Sequence, residues 1–281
     1  MNGLEPLRHG NSLEAIETDL VLEAIYRHYG FDFRGYARAS LRRRLWRRAE
    51  AEGLSSLSGL QEKVLHDPSC LQRLLADLSI NVTAMFRDPS FFLSFRSKVV
   101  PLLRTYPFVR IWNAGCSTGQ ETLSLAILLR EEGLADKVRI YATDVNESVV
   151  QQARAGVFPL ERMREYTRNY LAAGGTEEFS TYYKADGDSA RFDSSLTEQV
   201  VFAQHNLASD SSFNQFNAIV CRNVMIYFGR TLQDHVHELF YESLEMFGLL
   251  GLGTHESIGF TRHEGCYEPL VDEDRLYRKA C

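Results

Sequence analysis

The stretch at residues 109–130, VRIWNAGCSTGQETLSLAILLR, constrains the fold more than any other part of the chain. A β-prone run breaks on glycine and small residues, then passes into a run with helical spacing. A strand that turns through small residues into a helix is how an open α/β sheet cradles a nucleotide-like ligand. The loop lacks both the three spaced glycines of a dinucleotide fingerprint and the lysine of a phosphate-binding loop. Gly115, Ser117 and Gly119 alternate through it, so backbone can approach a ligand without intervening Cβ atoms. A second run, VRIYATD, ends at Asp144, where a carboxylate can accept both hydroxyls of a ribose. Loop and acid together suit NAD, ATP or S-adenosylmethionine, and the missing lysine weakens ATP.

The remaining pattern sets the organisation. Residues 1–80 read as an all-helical domain, with breaks at Gly30, Gly53 and HDPS. Residues 81–281 alternate strands and helices, which implies a mostly parallel, Rossmann-like sheet covered by helices on both faces. Within it, about 160–200, a helical piece precedes FSTYYKADGDSARFDSSL, where DGDS between β-prone runs signals a hairpin and hence a small inserted antiparallel subdomain. FNAIVCRNVMIYF reads as a buried strand and a loop. TLQDHVHELFYESLEMFG reads as a helix opened by Thr231 and Asp234 in capping-box spacing and closed on Gly248.

Composition excludes several classes. A net charge of −6 argues against a general nucleic-acid binder. No run reaches the length of a membrane span, and the N-terminus lacks an apolar signal core, so a cytoplasmic setting is expected. The five cysteines are scattered without a CxxC pair, which fits reduced thiols rather than a disulfide framework or zinc site. The histidines offer no HExxH, and His235 and His237 diverge on a helix, so no metal is expected.

Three further segments place polar groups near strand ends: NVTAMFRDPSFF at 81–92, HNL at 205–207 and CRNVMIYF at 221–228. Each alone reads as capping or turn chemistry. Thr118 and Glu121 also have capping-box spacing, so Glu121 can satisfy the helix N-terminus, contact a ligand, or both. Cys116 reads as a small buried residue rather than a nucleophile.

Taken in order, NVTAMFR, IWNAGCSTGQETLSLA, ATDVNESVVQQARAGVF, HNL and FNAIVCRNVMIYF resemble the chemotaxis receptor methyltransferases, the CheR family, over roughly residues 20–275. The resemblance implies a helical domain joined to a methyltransferase domain with a small β-subdomain. It also implies methyl transfer from S-adenosylmethionine to glutamate side chains of chemoreceptors, with S-adenosylhomocysteine as product. Carried over by motif, Asn81, Thr83 and Arg87 line the cofactor pocket, with Ala114, Gly115, Gln120 and Glu121 in the cradle. Asp144 holds the ribose, Asn206 and Leu207 flank the adenine, Arg222 and Asn223 close the site, and Tyr227 lies near the departing methyl. The family usually reads STGEEPYS where this chain reads STGQETLS, so Gln120 replaces a carboxylate. If that acid binds the methionine amino group, the amide weakens the contact by about 1 kcal/mol.

Arg87 and Tyr227 are the catalytic candidates: Arg87 to anchor the accepting carboxylate, Tyr227 to offer a hydroxyl and a ring face to the sulfonium. The plainer readings are an ion pair of Arg87 with Asp88 or another acid, and a half-buried aromatic. The segment FRGYARASLRRRLWRRAEAEG at 33–53 has no acid before Glu50. Leu41, Leu45 and Ala49 form its apolar stripe, with Arg43, Arg44 and Arg47 clustered opposite. That patch is either a solvated face or, as the resemblance implies, a landing site for a receptor's acidic helical bundle beside the active-site mouth. The partners expected are therefore a chemoreceptor bundle and a receptor C-terminal peptide at the β-subdomain, with no nucleic acid, no membrane insertion and a monomeric enzyme. Two other functions stay open: a non-catalytic S-adenosylmethionine-binding signalling module, and a methyltransferase of another substrate.

Overall fold

The computed structural model describes residues 12–78 and 83–281. The chain divides into two compact units, Met1–Leu78 and Ser79–Cys281. Among its described residues the first unit holds four helices: α1 (Leu13–Tyr29), α2 (Arg38–Ala51), α3 (Leu57–His66) and α4 (Pro68–Leu78). Ser12 caps α1 by accepting the Ala15 amide, and Gly30 closes it in the left-handed conformation, where a Cβ would be strained. Their apolar stripes, including Leu22, Ile25, Leu41, Leu45, Leu60 and Leu74, converge on one core.

The second unit opens with α5 (Pro89–Ser94), a π-helical turn at Phe95–Val99, and α6 (Val100–Leu103). Then follow β1 (Val109–Ala114), α7 (Gln120–Glu131), β2 (Val138–Asp144) and α8 (Glu147–Ala155). Next come β3 (Val157–Pro159), α9 (Met163–Ala172), β4 (Tyr183–Asp186), β5 (Ser189–Phe192) and β6 (Val200–Gln204). The chain finishes with β7 (Phe216–Cys221), α10 (Arg230–Ser243), β8 (Leu244–Leu252), β9 (Tyr267–Val271) and β10 (Leu276–Lys279). Seven strands form one sheet in the order β6-β2-β1-β7-β8-β10-β9. The first five run parallel, and β10 pairs antiparallel with both β8 and β9. Strand order reverses between β1 and β7, so the loops leaving those two strands face one crevice.

The expected Rossmann-like sheet, helical unit and antiparallel insertion are all present, with local differences. The insertion is a three-stranded sheet, β3-β5-β4, whose third strand precedes residue 160; three residues ending in proline give little strand signal. The capping box at Thr231 and Asp234 does not form. Gly229, extended, is the N-cap, so the helix starts one residue early and Asp234 pairs with Arg230 at 3.5 Å. The same helix ends at Ser243 rather than Gly248, because Leu244 turns extended and begins β8. Gly248 lies in that strand, where a Cβ would stand 2.8 Å from the Glu245 carbonyl. The cysteines are not all reduced. Cys266 and Cys281 are joined as a disulfide with Cα atoms 5.0 Å apart, because β9 and β10 bring them together. Cys70, Cys116 and Cys221 are buried free thiols.

His237 on α10 is buried, and its Nδ1 has no hydrogen-bond partner. Burial pulls its pKa from 6.5 to about 4, against the opposing field of Asp234, while Arg230 and His263 reinforce the shift. Above pH 6.5 the residue is neutral in both states and adds no pH dependence. Below that the unfolded chain takes up a proton that the fold refuses until about pH 4, so stability falls with pH across this window. The full loss is about 3 kcal/mol. Urea unfolding between pH 7 and pH 4 should therefore show a slope that His237→Leu largely removes; an unchanged slope would mean that His237 charges freely in the fold.

Candidate active site

The crevice between β1 and β7 gathers segments far apart in sequence, and a buried cation joins them. The Arg222 side chain, at the end of β7, is 1% exposed. One terminal nitrogen donates to Glu121 Oε2 at 2.7 Å. The other donates to the Arg87 carbonyl at 3.0 Å and to Asp88 Oδ2 at 2.9 Å. The guanidinium also lies over Phe91, 4.1 Å from the ring centroid. One side chain thus fastens the start of α7, the 87–88 turn and α5. Ser124 adds a second tie: its hydroxyl accepts the Phe86 amide at 2.8 Å and donates to the Gln120 carbonyl at 2.7 Å.

Glu121 has both oxygens engaged, since Asn113 Nδ2 donates to Oε1 at 2.8 Å. It does not cap α7, whose N-cap is Gly119 without a side-chain bond. Gln120 is buried, and its Oε1 accepts the Thr118 hydroxyl at 2.7 Å. Ala114 ends β1 fully buried. The Gly115 and Cys116 amides both donate to the Thr143 carbonyl at 2.8 Å, which turns the loop back over β2. Two glycines here are required by packing. A Cβ on Gly115 would come within 2.4 Å of Val224, and one on Gly119 within 2.8 Å of the Ala153 backbone; both residues also have positive φ. Burial pushes the Cys116 thiol well above its ordinary pKa, so it is inert, as expected.

Asp144 stands at the far wall. Ser117 N donates to Oδ2 at 3.0 Å and Asn146 N to Oδ1 at 3.1 Å. Both carboxylate oxygens thus already accept backbone amides. Burial raises the Asp144 pKa, and the Asn146, Ser117 and Val145 amides pull it back. The HNL segment lies alongside: His205 N donates to the Asp144 carbonyl at 3.0 Å. Asn206 Oδ1 accepts the Ala208 amide at 3.0 Å, its own amide donates to Asp210 at 2.8 Å, and Leu207 is buried beside it.

The loop after β7 is fixed by Glu256, which sequence reasoning missed. This carboxylate is buried and accepts four amides: Gly253 at 2.7 Å, Asn223 at 2.9 Å, Val224 at 2.9 Å and Met225 at 2.7 Å. Burial raises its pKa while the four donors act against that shift. Asn223 adopts φ +60°, and the chain then makes a short 3₁₀ turn, Met225–Tyr227, that leaves Tyr227 half-buried. Only an acid just past a strand end, in THES, signalled this role. Asp88, Asn113 and Phe91 were missed as well.

Of the other candidates, Thr83 and Arg87 are half-buried, and Asn81 lies outside the described residues. Asp88 bridges to Arg222 at 2.9 Å. The arginine patch belongs to the helical unit and differs from its wheel. Arg44 is buried and donates to the Leu78 carbonyl at 2.6 Å, because its position falls on the flank of the Leu41–Leu45 stripe. Arg47 pairs with Asp77 at 2.9 Å, and Arg43 is exposed without an ion pair among the described residues. Those residues contain no cluster of three or more His, Cys, Asp or Glu able to hold a metal.

The fold and the β1–β7 crevice define an S-adenosylmethionine-dependent methyltransferase. A family model described as "CheR methyltransferase, SAM binding domain" matches residues 81–269, and one described as "CheR methyltransferase, all-alpha domain" matches 16–79. The chain belongs to the CheR methyltransferase family. A Pseudomonas putida protein bearing the methyltransferase name Cher3 is 48% identical over 265 residues, covering 94% of this chain and 97% of its own length. Chemotaxis protein methyltransferase 2 of Pseudomonas aeruginosa is 32% identical, covering 86% of this chain and 87% of that protein. The chemotaxis protein methyltransferase of Escherichia coli is 30% identical, covering 84% and 82%.

Two substitutions test this site. Arg222→Met strands the Glu121 and Asp88 carboxylates and should cost about 3 kcal/mol or more in urea unfolding; a loss below about 1 kcal/mol would remove Arg222 from its central place. Asp144→Asn should weaken S-adenosylmethionine binding about tenfold in calorimetric titration, the difference between a charge-assisted and a neutral bond to the ribose. Unchanged affinity would take Asp144 out of the pocket.

Proposed function

We propose that this chain is an O-methyltransferase that forms methyl esters on glutamate side chains of chemoreceptors, the adaptation step of chemotaxis-type signalling. The observation that carries the reading is the fastening of the Arg87 backbone, through Arg222, to the same loop and helix that carry the cradle. The donor set suits the cofactor. On this reading the ribose binds at the Asp144 carboxylate, the adenine lies beside Asn206 and Leu207, and the methionine end lies over Gly115–Gly119. Bound there, S-adenosylmethionine supplies a methyl on a positively charged sulfur.

Little else is required of the protein. A glutamate has an ordinary pKa of about 4.3 and is already a nucleophilic carboxylate at neutral pH, so no general base is needed. The task is alignment of oxygen, methyl carbon and sulfur with water excluded. Arg87 anchors the accepting carboxylate, and Tyr227 contributes its hydroxyl and ring. On this reading Thr83 and Asn81 line the pocket, and Arg222 and Asn223 act by shaping it. Gln120, tied to Thr118, gives the methionine amino group a neutral partner in place of a carboxylate.

Substrate recognition follows the same logic. Arg43 and Arg47 on α2 supply positive charge for an acidic receptor bundle. In the β-subdomain, β4 is an edge strand, and a cavity of about 510 Å³ next to it is lined by Arg154, Lys184 and Arg191. An open edge beside cations supports addition of a receptor C-terminal peptide as an extra strand. A cytoplasmic site of action accompanies this substrate, and no helix among the described residues is long and apolar enough to cross a membrane.

The test uses methyl-labelled S-adenosylmethionine with membranes bearing chemoreceptors. Label should enter receptor-sized protein and leave as methanol in mild alkali. Arg87→Ala should lower transfer roughly 100-fold, as loss of a positioned cation at the reacting group does. Tight cofactor binding without any transfer would instead support the signalling-module reading.

A further inference from the structure

We propose that Phe260 is a contact residue for the protein substrate, an apolar ring held out of the fold beside the Tyr227 loop. This rests on the reading that the methyl acceptor is a protein carboxylate. Phe260 is 90% exposed, the highest value among the described large apolar residues. Its φ is +64°, a left-handed conformation that is rare and strained for a bulky aromatic. A residue that is both exposed and strained is usually replaced by glycine or asparagine, which take this conformation at lower cost.

The loop is nevertheless built. Phe260 N donates to Glu264 Oε2 at 2.7 Å, and its carbonyl accepts from Arg230 at 2.7 Å. Gly259 N donates to the Ser257 hydroxyl at 3.0 Å, and the Thr261 hydroxyl donates to the Ile258 carbonyl at 2.6 Å. Ile258 is buried beneath. The backbone on both sides of the ring is therefore fixed while the ring itself points into solvent.

Its position ties it to the reaction. Arg230 lies three residues after Tyr227, and Gln233 on the same helix donates to the Met225 and Phe228 carbonyls at 2.9 and 3.2 Å. At the other end of the loop Glu256 holds the amides of Asn223, Val224 and Met225. Phe260 and the Tyr227 turn thus belong to one hydrogen-bonded assembly. The Arg230 guanidinium, which pairs with Asp234 at 3.5 Å, lies 5.8 Å from the ring centroid, and Arg262, two residues on, is exposed and has no ion pair among the described residues. An exposed aromatic two residues from the unpaired Arg262 complements a protein surface that presents carboxylates beside apolar side chains. Phe260 is a specificity residue here, not a catalytic one.

The experiment is steady-state methyl transfer to a detergent-free, soluble cytoplasmic fragment of a chemoreceptor, with wild type, Phe260→Ala and Phe260→Leu. Phe260→Ala should raise KM for the fragment about tenfold, the loss expected when a ring is no longer buried against a partner. Its kcat should stay within about twofold, cofactor affinity should be unchanged, and Phe260→Leu should restore most of the loss. A KM for Phe260→Ala within about twofold of wild type would overturn the proposal, as would a parallel fall in cofactor affinity and thermal stability. A loss seen only with receptors in lipid vesicles would also overturn it, by assigning the ring to the membrane surface. If wild type itself transfers no methyl to any receptor protein, the function reading fails and takes this inference with it.

Discussion

A guanidinium withdrawn from water is tolerable only when charge and hydrogen bonds replace the solvent it has lost, and the architecture around Arg222 follows from that requirement. Its replacements come from three places: the first turn of α7, the 87–88 turn and the aromatic face of α5. None is local to Arg222 in sequence, so satisfying the cation folds the entry segment of the second unit onto the β1–β7 crevice. Glu121, in turn, holds the Asn113 side chain near the carboxyl end of β1, and the Thr122 hydroxyl donates to the other side of that amide at 2.6 Å. The loop between β1 and α7 sits on this internal polar network.

Glu256 solves the complementary problem. The turn that carries Asn223 and Tyr227 leaves its amides without sheet partners, and one buried carboxylate collects three of them along with Gly253. Buried charges of opposite sign thus fix the two walls of the crevice, Arg222 from beneath and Glu256 from the side of β8. For a reaction that needs alignment more than acid–base help, rigid walls are the relevant catalytic property. The family's chemistry and this chain's polar interior are therefore consistent with each other.

The fold was legible where period and punctuation agree. VRIWNAG and VRIYATD became β1 and β2, and the small-residue loop joins β1 to α7. What the sequence obscured was settled by tertiary contacts. The α10 pattern runs without interruption past Ser243 into β8, because an apolar stretch such as LEMFGLLGL satisfies either period until the neighbouring strand pairs with it. Arg44 sat with its neighbours on a helical wheel, but helix packing turned that flank inward. The disulfide could not be read because Cys266 and Cys281 meet only through the β9–β10 pairing. Around the crevice, the candidate motif segments could be named from sequence, whereas Asp88, Asn113 and Glu256 could not: they satisfy buried groups supplied by distant segments, and such pairings leave no spacing signal.

The most direct test of this account is a crystal structure of the protein with S-adenosylhomocysteine. The account expects the ribose hydroxyls on Asp144 and the amino-acid end over Gly115–Gly119, with Arg222 still bound to Glu121 and Asp88. A ligand seated elsewhere, or an Arg222 that leaves Glu121 to grip the ligand itself, would contradict it.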